Sequence, residues 1–181
     1  MRRHSIVLFA LFAVCFAHPV FAQTTKGQVA AGGDVGIFFP DEAFEKAVTL
    51  DAFGEYYVAP NVSLRVLLGW ASPGFENMTE DHFRQVRLLF NGVYSWSGTQ
   101  WHPYVTVGAG AYFLRQVFDA APDPDSEVRG GINFGGGLEY YLDKANKSAF
   151  KGELRYDLVS HPTGFPDATG FTVSFGYKRF F

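Results

Sequence analysis

Large apolar side chains alternate with small or polar ones along most of the chain. In the last eleven residues, Phe171, Val173, Phe175, Tyr177 and Phe181 all occupy odd-numbered positions. A period of two places such side chains on one face of a β-strand. The pattern therefore predicts strands in which one face requires an apolar environment, either a protein core or lipid.

Eight segments carry this alternation, and turn signals rich in Asp, Asn, Gly and Pro separate them. No segment shows the period of about 3.6 residues that marks an amphipathic helix. The pattern predicts an all-β fold of eight antiparallel strands joined up and down, at residues 27–39, 47–58, 62–72, 82–97, 102–117, 127–142, 149–160 and 169–181.

Segment length separates a transmembrane barrel from a soluble β-sandwich, in which one strand face is also polar. The segments have 11 to 16 residues, whereas soluble strands usually have about five or six and a membrane-spanning strand needs about 9–11. This length predicts an eight-stranded antiparallel up-and-down transmembrane β-barrel. The aromatic residues support the same prediction, because they gather near segment ends, as in the two aromatic girdles of a membrane barrel. Those residues are Phe39, Tyr56, Trp70, Phe83, Trp96, Tyr104, Phe113, Tyr140, Phe150 and Phe181.

A secreted lipocalin-like barrel is a soluble alternative. That fold is apolar inside and polar outside. The charged faces of the second, sixth and seventh segments would then have to face water, with the apolar faces lining the interior. The long segments and the aromatic distribution favour lipid on the apolar side instead.

The first residues predict a cleavable secretory signal. Arg2 and Arg3 precede the apolar run 6–14, and cleavage is expected after Ala22. The apolar run is too short to be a spanning helix. The expected domain division is a signal peptide at 1–22 and an outer-membrane β-barrel domain at 23–181.

Cysteine and charge narrow the function classes. Acylation of the single cysteine, Cys15, is disfavoured because Val14 stands where a lipoprotein signal needs a small residue. Loss of Arg2 and Arg3 from the 15 basic residues, against 18 acidic ones, gives the mature chain a net charge of −5. This charge argues against nucleic acid as a partner.

An even number of strands puts both termini on one side of the membrane, the periplasmic side in such barrels. The connections on the other side are then 40–46, 72–81, 118–126 and 161–168. We expect these connections to form a hydrophilic outer rim. The alternative is that their carboxylates bind divalent cations beside anionic lipopolysaccharide. Eleven acids and one base, Lys46, lie in or next to these connections: Asp41, Glu42, Glu45, Glu76, Glu80, Asp81, Asp119, Asp123, Asp125, Glu127 and Asp167.

The whole mature chain resembles the small outer-membrane barrels of the OmpA/OmpX type. The ending also resembles the C-terminal assembly signal of that family, because Ser174, Gly176 and Phe181 match its polar, glycine and terminal aromatic positions. Arg179 departs from it, since an apolar residue is usual there. The resemblance implies a bacterial outer membrane location, insertion by the outer-membrane assembly machinery and a monomer in contact with lipid and lipopolysaccharide.

The inward faces of the segments carry six acids and six bases. An eight-stranded barrel is just wide enough to be filled by its own side chains, so the balance predicts a packed polar network rather than a pore. A small-solute, porin-like channel is the alternative. The predicted interior residues are Asp34, Asp51, Glu55, Arg65, Arg87, Arg129, Glu139, Lys151, Glu153, Arg155, Asp157 and Lys178.

Catalysis on lipid A is the second alternative, since Ser160 and His161 with Asp157 and Asp167 are the ingredients of an activated hydroxyl. Neighbouring residues on an extended strand point to opposite faces, which separates this serine from this histidine. His82 and His102 lie at strand ends and are interpreted as interface residues. We therefore expect a non-enzymatic barrel with a structural or surface-interaction role, and no catalytic residue, metal or cofactor.

Overall fold

The computed structural model describes residues 24–41, 45–75, 78–98, 100–117, 126–142, 147–160 and 168–181, with the backbone alone at 74–83, 116 and 117. These ranges contain eight long strands, and a two-residue strand, Gly74–Phe75, that continues the pairing of the third with the fourth. No helix within them is long and apolar enough to cross a membrane. The strands are β1 (Val29–Pro40), β2 (Ala47–Ala59), β3 (Val62–Ala71), β4 (Met78–Ser95), β5 (Trp101–Val117), β6 (Ser126–Tyr141), β7 (Ser148–Val159) and β8 (Gly170–Phe180).

The strands form one closed antiparallel sheet. Each strand pairs with its neighbours along the chain. The first and last strands also pair, from Ala30 opposite Phe180 to Pro40 opposite Gly170, which closes the ring. The predicted eight-stranded up-and-down barrel is thus confirmed.

Two strands begin two or more residues away from the predicted position. β1 begins at Val29 rather than at residue 27, because Gly27 adopts a left-handed φ of 88° in a turn. β4 begins at Met78 rather than at 82, and Gly74, inside the predicted connection 72–81, pairs with His82. Alternation fails to mark this extension because a strand that continues beyond the lipid needs no apolar face.

The outward face is apolar on every strand. In β3, for example, Leu64, Val66 and Leu68 are 46% to 56% exposed, while the residues between them are buried. Exposing such side chains to water would be unfavourable by about 25 cal/mol per Å², so this face requires lipid. It carries Phe171, Phe175 and Tyr177 of the C-terminal strand, as the alternation predicts.

Aromatic pairs lie at both ends of the apolar face. Trp101 and Tyr140 have ring centroids 4.7 Å apart at the end that carries the chain termini. Phe39 and Phe171 stack 4.9 Å apart at the opposite end. The prediction for Tyr104 is wrong: this ring is 2% exposed and points into the barrel, because it shares the parity of the inward residues of β5.

Candidate functional site

The barrel interior is the candidate functional site. Each of the twelve predicted interior residues is at most 5% exposed. Period-two alternation accounts for the placement, since each shares the parity of the buried positions of its strand. They come from seven strands: Asp34 of β1, Asp51 and Glu55 of β2, Arg65 of β3, Arg87 of β4, Arg129 and Glu139 of β6, Lys151, Glu153, Arg155 and Asp157 of β7, and Lys178 of β8.

The half of the interior nearer the termini contains Lys178 and Arg65. Nζ of Lys178 lies 2.5 Å from Glu139 and 2.9 Å from Glu55. Nε of Arg65 lies 2.5 Å from the other oxygen of Glu55, and its Nη1 lies 2.6 Å from Glu153. Glu55 therefore joins two cations, and Arg65 continues the chain of ion pairs to Glu153.

Glu153 is the branch point of these ion pairs. Besides the guanidinium just described, Lys151 Nζ and Arg155 Nη1 each lie 3.3 Å from its carboxylate. Lys151 in turn lies 2.6 Å from Asp34. The Tyr104 hydroxyl donates a further hydrogen bond to Glu153 at 2.8 Å. One carboxylate thus has three cations and a hydroxyl around it, which compensates for its lost hydration.

Two arginines hold the half of the interior farther from the termini. Arg155 lies 3.1 Å from Asp51 and 3.5 Å from Asp157. Arg87 reaches the same two carboxylates, at 2.8 Å from Asp51 and 3.7 Å from Asp157. It also donates a hydrogen bond to the Thr49 hydroxyl at 2.5 Å. Each of these carboxylates therefore bridges two guanidinium groups.

Eleven of the twelve predicted residues consequently form one continuous network with six acids and five bases. Arg129, the twelfth predicted residue, is also buried and is paired with Glu127. Its Nη2 lies 2.8 Å from Glu127, two residues away on the same strand face and 29% exposed in its side chain.

Tyrosine hydroxyl groups, which the sequence interpretation missed, add hydrogen bonds to the network. Four buried tyrosines each donate a hydroxyl hydrogen bond to a different carboxylate. Strand parity could have found two of them, since each follows a network glutamate by two residues and so shares its face. The bonds run from Tyr57 to Glu55 at 3.2 Å, Tyr104 to Glu153 at 2.8 Å, Tyr112 to Asp157 at 2.9 Å and Tyr141 to Glu139 at 3.4 Å. Tyr104 and Tyr112 also bring β5 into the network.

Inward glycines allow contacts to cross an intervening strand. Gly69 of β3 is paired with Asp51 on one side and with Arg87 on the other, and a Cβ there would overlap both side chains. Gly176 of β8 stands in the same way between Asp34 and Lys151, and a Cβ would overlap the Asp34 carboxylate. Both ion pairs therefore pass over a glycine.

An aromatic cluster lies below the network at the end that carries the termini. Phe180 stacks on Tyr141 with ring centroids 5.5 Å apart and lies 6.1 Å from the ring of Tyr57. His102, which the sequence places at the membrane interface, is 4% exposed and has its ring 4.4 Å from Tyr141. The interface interpretation of His102 is wrong, because its parity turns it inward.

The residues weighed for catalysis do not form a site among the described side chains. Asp157 is engaged by two arginines and by the Tyr112 hydroxyl, and Ser160 is exposed beyond the end of β7. His161 and Asp167 lie outside the described residues, as does the side chain of His82. Within the described ranges, no three His, Cys, Asp or Glu side chains group so as to hold a metal ion.

The remaining predicted features are placed only in part. Ser174 and Gly176 of the C-terminal assembly signal face inward, and Phe181 is 75% exposed. Of the rim acids, the described side chains are Asp41, which accepts a hydrogen bond from Tyr156, together with Glu45 and Glu127. The other rim acids and the predicted signal peptide, 1–22, lie outside the described side chains.

Known proteins that resemble this chain are outer-membrane β-barrels as well. A family model described as outer membrane protein beta-barrel domain matches residues 7–178. No curated protein matches the sequence.

Three solved structures are similar in fold. Neisserial surface protein A has a TM-score of 0.66 at 10% identity, over 84% of this chain and 95% of that one. OprG from Pseudomonas aeruginosa has a TM-score of 0.65 at 13% identity, over 89% and 99%. The N-terminal β-barrel domain of OprF from Pseudomonas aeruginosa has a TM-score of 0.63 at 14% identity, over 86% and 98%. At these identities the likeness shows the fold alone.

Proposed function

The chain belongs to the outer membrane protein β-barrel domain family, and on that premise we propose that it is a non-enzymatic barrel with a structural or surface-interaction role and an interior closed to solutes. The family implies the outer membrane of a Gram-negative bacterium. The proposal includes export by the N-terminal signal, insertion by the outer-membrane assembly machinery, and a monomer that contacts lipid and lipopolysaccharide.

The continuous ionic network is the observation that carries this proposal. An eight-stranded barrel encloses only enough space for side chains, and here eleven charged residues and four tyrosines connect across it. A water path along the axis would have to separate Glu153 from its three cations. Breaking one buried pair costs about 3–5 kcal/mol, so thermal motion rarely opens several at once.

The same network argues against lipid A chemistry. The inward carboxylate of Asp157 is already shared by Arg87 and Arg155. Ser160 is exposed beyond the end of the strand, and two guanidinium groups already compensate the Asp157 carboxylate that would have to orient a catalytic base. Lipid A from cells that overproduce the protein should therefore show an unchanged mass spectrum, and a loss or gain of an acyl chain would contradict the non-enzymatic assignment.

Planar-bilayer conductance tests the closed interior. The folded full chain should give no discrete current steps under conditions in which a reconstituted porin, the positive control, gives them readily. The Arg65→Ala variant identifies the source of any steps, because it removes the cation between Glu55 and Glu153. Reproducible wild-type steps that grow in this variant would place a conducting path in the interior and contradict the proposal.

A further inference from the structure

Charge is rare on the lipid-facing side of the barrel. Among outward strand positions whose side chains the structure describes, three are charged, and all three are arginines: Arg84 of β4, Arg115 of β5 and Arg179 of β8. Arg179 lies at the end that carries the termini. Arg84 and Arg115 lie together at the opposite end, so cationic charge on this face is concentrated at one place near the outer rim.

Arg84 and Arg115 are direct cross-strand partners. Both side chains are exposed, and like charges directly opposite each other destabilise a sheet. Among the described residues, neither forms an ion pair with a carboxylate, although the ion pairs of the interior are numerous. An anion between the two guanidinium groups would remove their repulsion.

A groove beside the two arginines has a polar row and an apolar row of side chains. Its volume is about 280 Å³. By strand register, Arg84, Arg115 and Ser126 form a polar row along it, and Val86, Phe113 and Val128 form the next row, which is apolar. Glu127, which shares the inward parity of Arg129, borders the polar row. Glu127 is paired with Arg129 at 2.8 Å, so its carboxylate is already compensated. The groove therefore matches a molecule with an anionic head and a hydrocarbon chain.

The depth of the arginines corresponds to a lipid headgroup. From Arg84 to Tyr94, β4 has 11 residues, which is about one membrane crossing for a tilted strand. The outward positions between them are apolar or glycine, and Phe90 among them is 59% exposed. Arg84 therefore stands at the boundary of the apolar belt, on the rim away from the termini.

We propose that this groove binds a phosphate group of lipid A in the outer leaflet, between the guanidinium groups of Arg84 and Arg115, with an acyl chain along Val86, Phe113 and Val128. Guanidinium forks match the geometry of phosphate oxygens. The choice of lipid A rests on the proposed orientation, because periplasmic termini put this rim in the leaflet where lipopolysaccharide is the phosphate-bearing lipid.

Lipid titration followed by native mass spectrometry tests the site on the folded full chain in detergent. The probe is diphosphoryl lipid A, and the R84Q/R115Q double variant is compared with R179Q, the third outward arginine. Wild type and R179Q should each bind one lipid A with the same affinity. The double variant should bind at least about tenfold more weakly, a loss of about 1.4 kcal/mol or more, since it lacks both charge-assisted hydrogen-bond donors. Heat-modifiable gel mobility checks that each variant is folded.

Chemical variation of the lipid separates the possible sources of phosphate. Enzymatically dephosphorylated lipid A should bind wild type as weakly as diphosphoryl lipid A binds the double variant. Equal affinity for phosphatidylglycerol would overturn the assignment to lipid A, and equal lipid A affinity of wild type and double variant would overturn the site. If the double variant does not fold, the single variants R84Q and R115Q should each show part of the loss, and two unchanged affinities would overturn the site.

These outcomes are independent of the closed interior. A barrel that conducts ions but binds lipid A through the two arginines would contradict the proposed function and leave this site standing. A barrel without conductance, whose double variant binds lipid A as tightly as wild type, would contradict this site and leave the proposed function standing.

Discussion

At the scale of single residues, Arg87 is a sharp test of the network. It is fully buried and lies between Asp51 and Asp157. The Arg87→Ala variant leaves these carboxylates with less charge compensation, so we expect its free energy of unfolding to fall by about 3–5 kcal/mol. Urea unfolding followed by gel mobility measures this. The matched control is Arg179→Ala, an exposed arginine whose loss should change stability by less than about 0.5 kcal/mol; equal midpoints for both variants would contradict the network.

Gly69 tests whether the Asp51–Arg87 pair really crosses a strand at a glycine. A Cβ at this position overlaps both side chains, so Gly69→Ala should lower the free energy of unfolding by about 1–3 kcal/mol, as overpacking does. Gly54→Ala on the neighbouring strand is the control, because a Cβ there meets nothing within 4 Å. We expect this control to be neutral or stabilising by about 0.4–1 kcal/mol. The opposite order of stabilities would be inconsistent with the packing described.

The sequence predicts which residues face inward but not how they pair. The alternation of side chains along each strand predicts that all twelve charged residues face inward, and each of them is buried. The prediction works because every second side chain of a strand points the same way. Alternation carries no information on register or on reach across the barrel. The tyrosine donors and the glycine crossings therefore depend on strand pairing, which only the three-dimensional structure gives.

At the scale of elements, β8 carries two roles that experiment can separate. Ser174 and Gly176 face inward, where Gly176 leaves space for Asp34, so part of the C-terminal pattern has a packing reason. Phe181 is 75% exposed and packing explains little of it. We propose that Phe181 instead serves recognition by the outer-membrane assembly machinery during insertion.

We therefore expect Phe181→Ala to reduce the yield of folded barrel in cells several-fold. For protein folded in vitro, the variant should change the urea midpoint no more than a lipid-facing control variant does. The control is Phe134→Ala, since Phe134 is 51% exposed on another strand. Heat-modifiable mobility of membranes and of refolded protein gives the two readouts. Equal yields in cells for both variants would remove the assembly role of Phe181.

Strand ends are the part of the elements that alternation predicts least well. The lipid boundary ends the apolar face of β4 near residue 84, but strand pairing continues to Met78, which is opposite Phe75. Backbone pairing needs no particular side chain, so a polar sequence there is compatible with both strand and loop. The central part of each strand is predictable because lipid constrains every outward residue.

At the scale of the whole molecule, the inversion of polarity explains both fold and proposed function. The chain turns its apolar residues to lipid and pairs acids with bases in the interior, where eight strands contribute to one set of hydrogen bonds and ion pairs. Within the described residues, the interior is occupied by side chains that bind one another. Recognition is then left to the rims and the lipid-facing surface, where the two outward arginines lie.

Cell fractionation combined with heat-modifiable gel mobility tests the central claim most directly. A closed barrel in the outer membrane should be recovered in that membrane fraction, should migrate faster in its unheated form than after boiling, and should lose this difference only on unfolding. Recovery from the soluble periplasm, with the same mobility before and after boiling, would contradict the account.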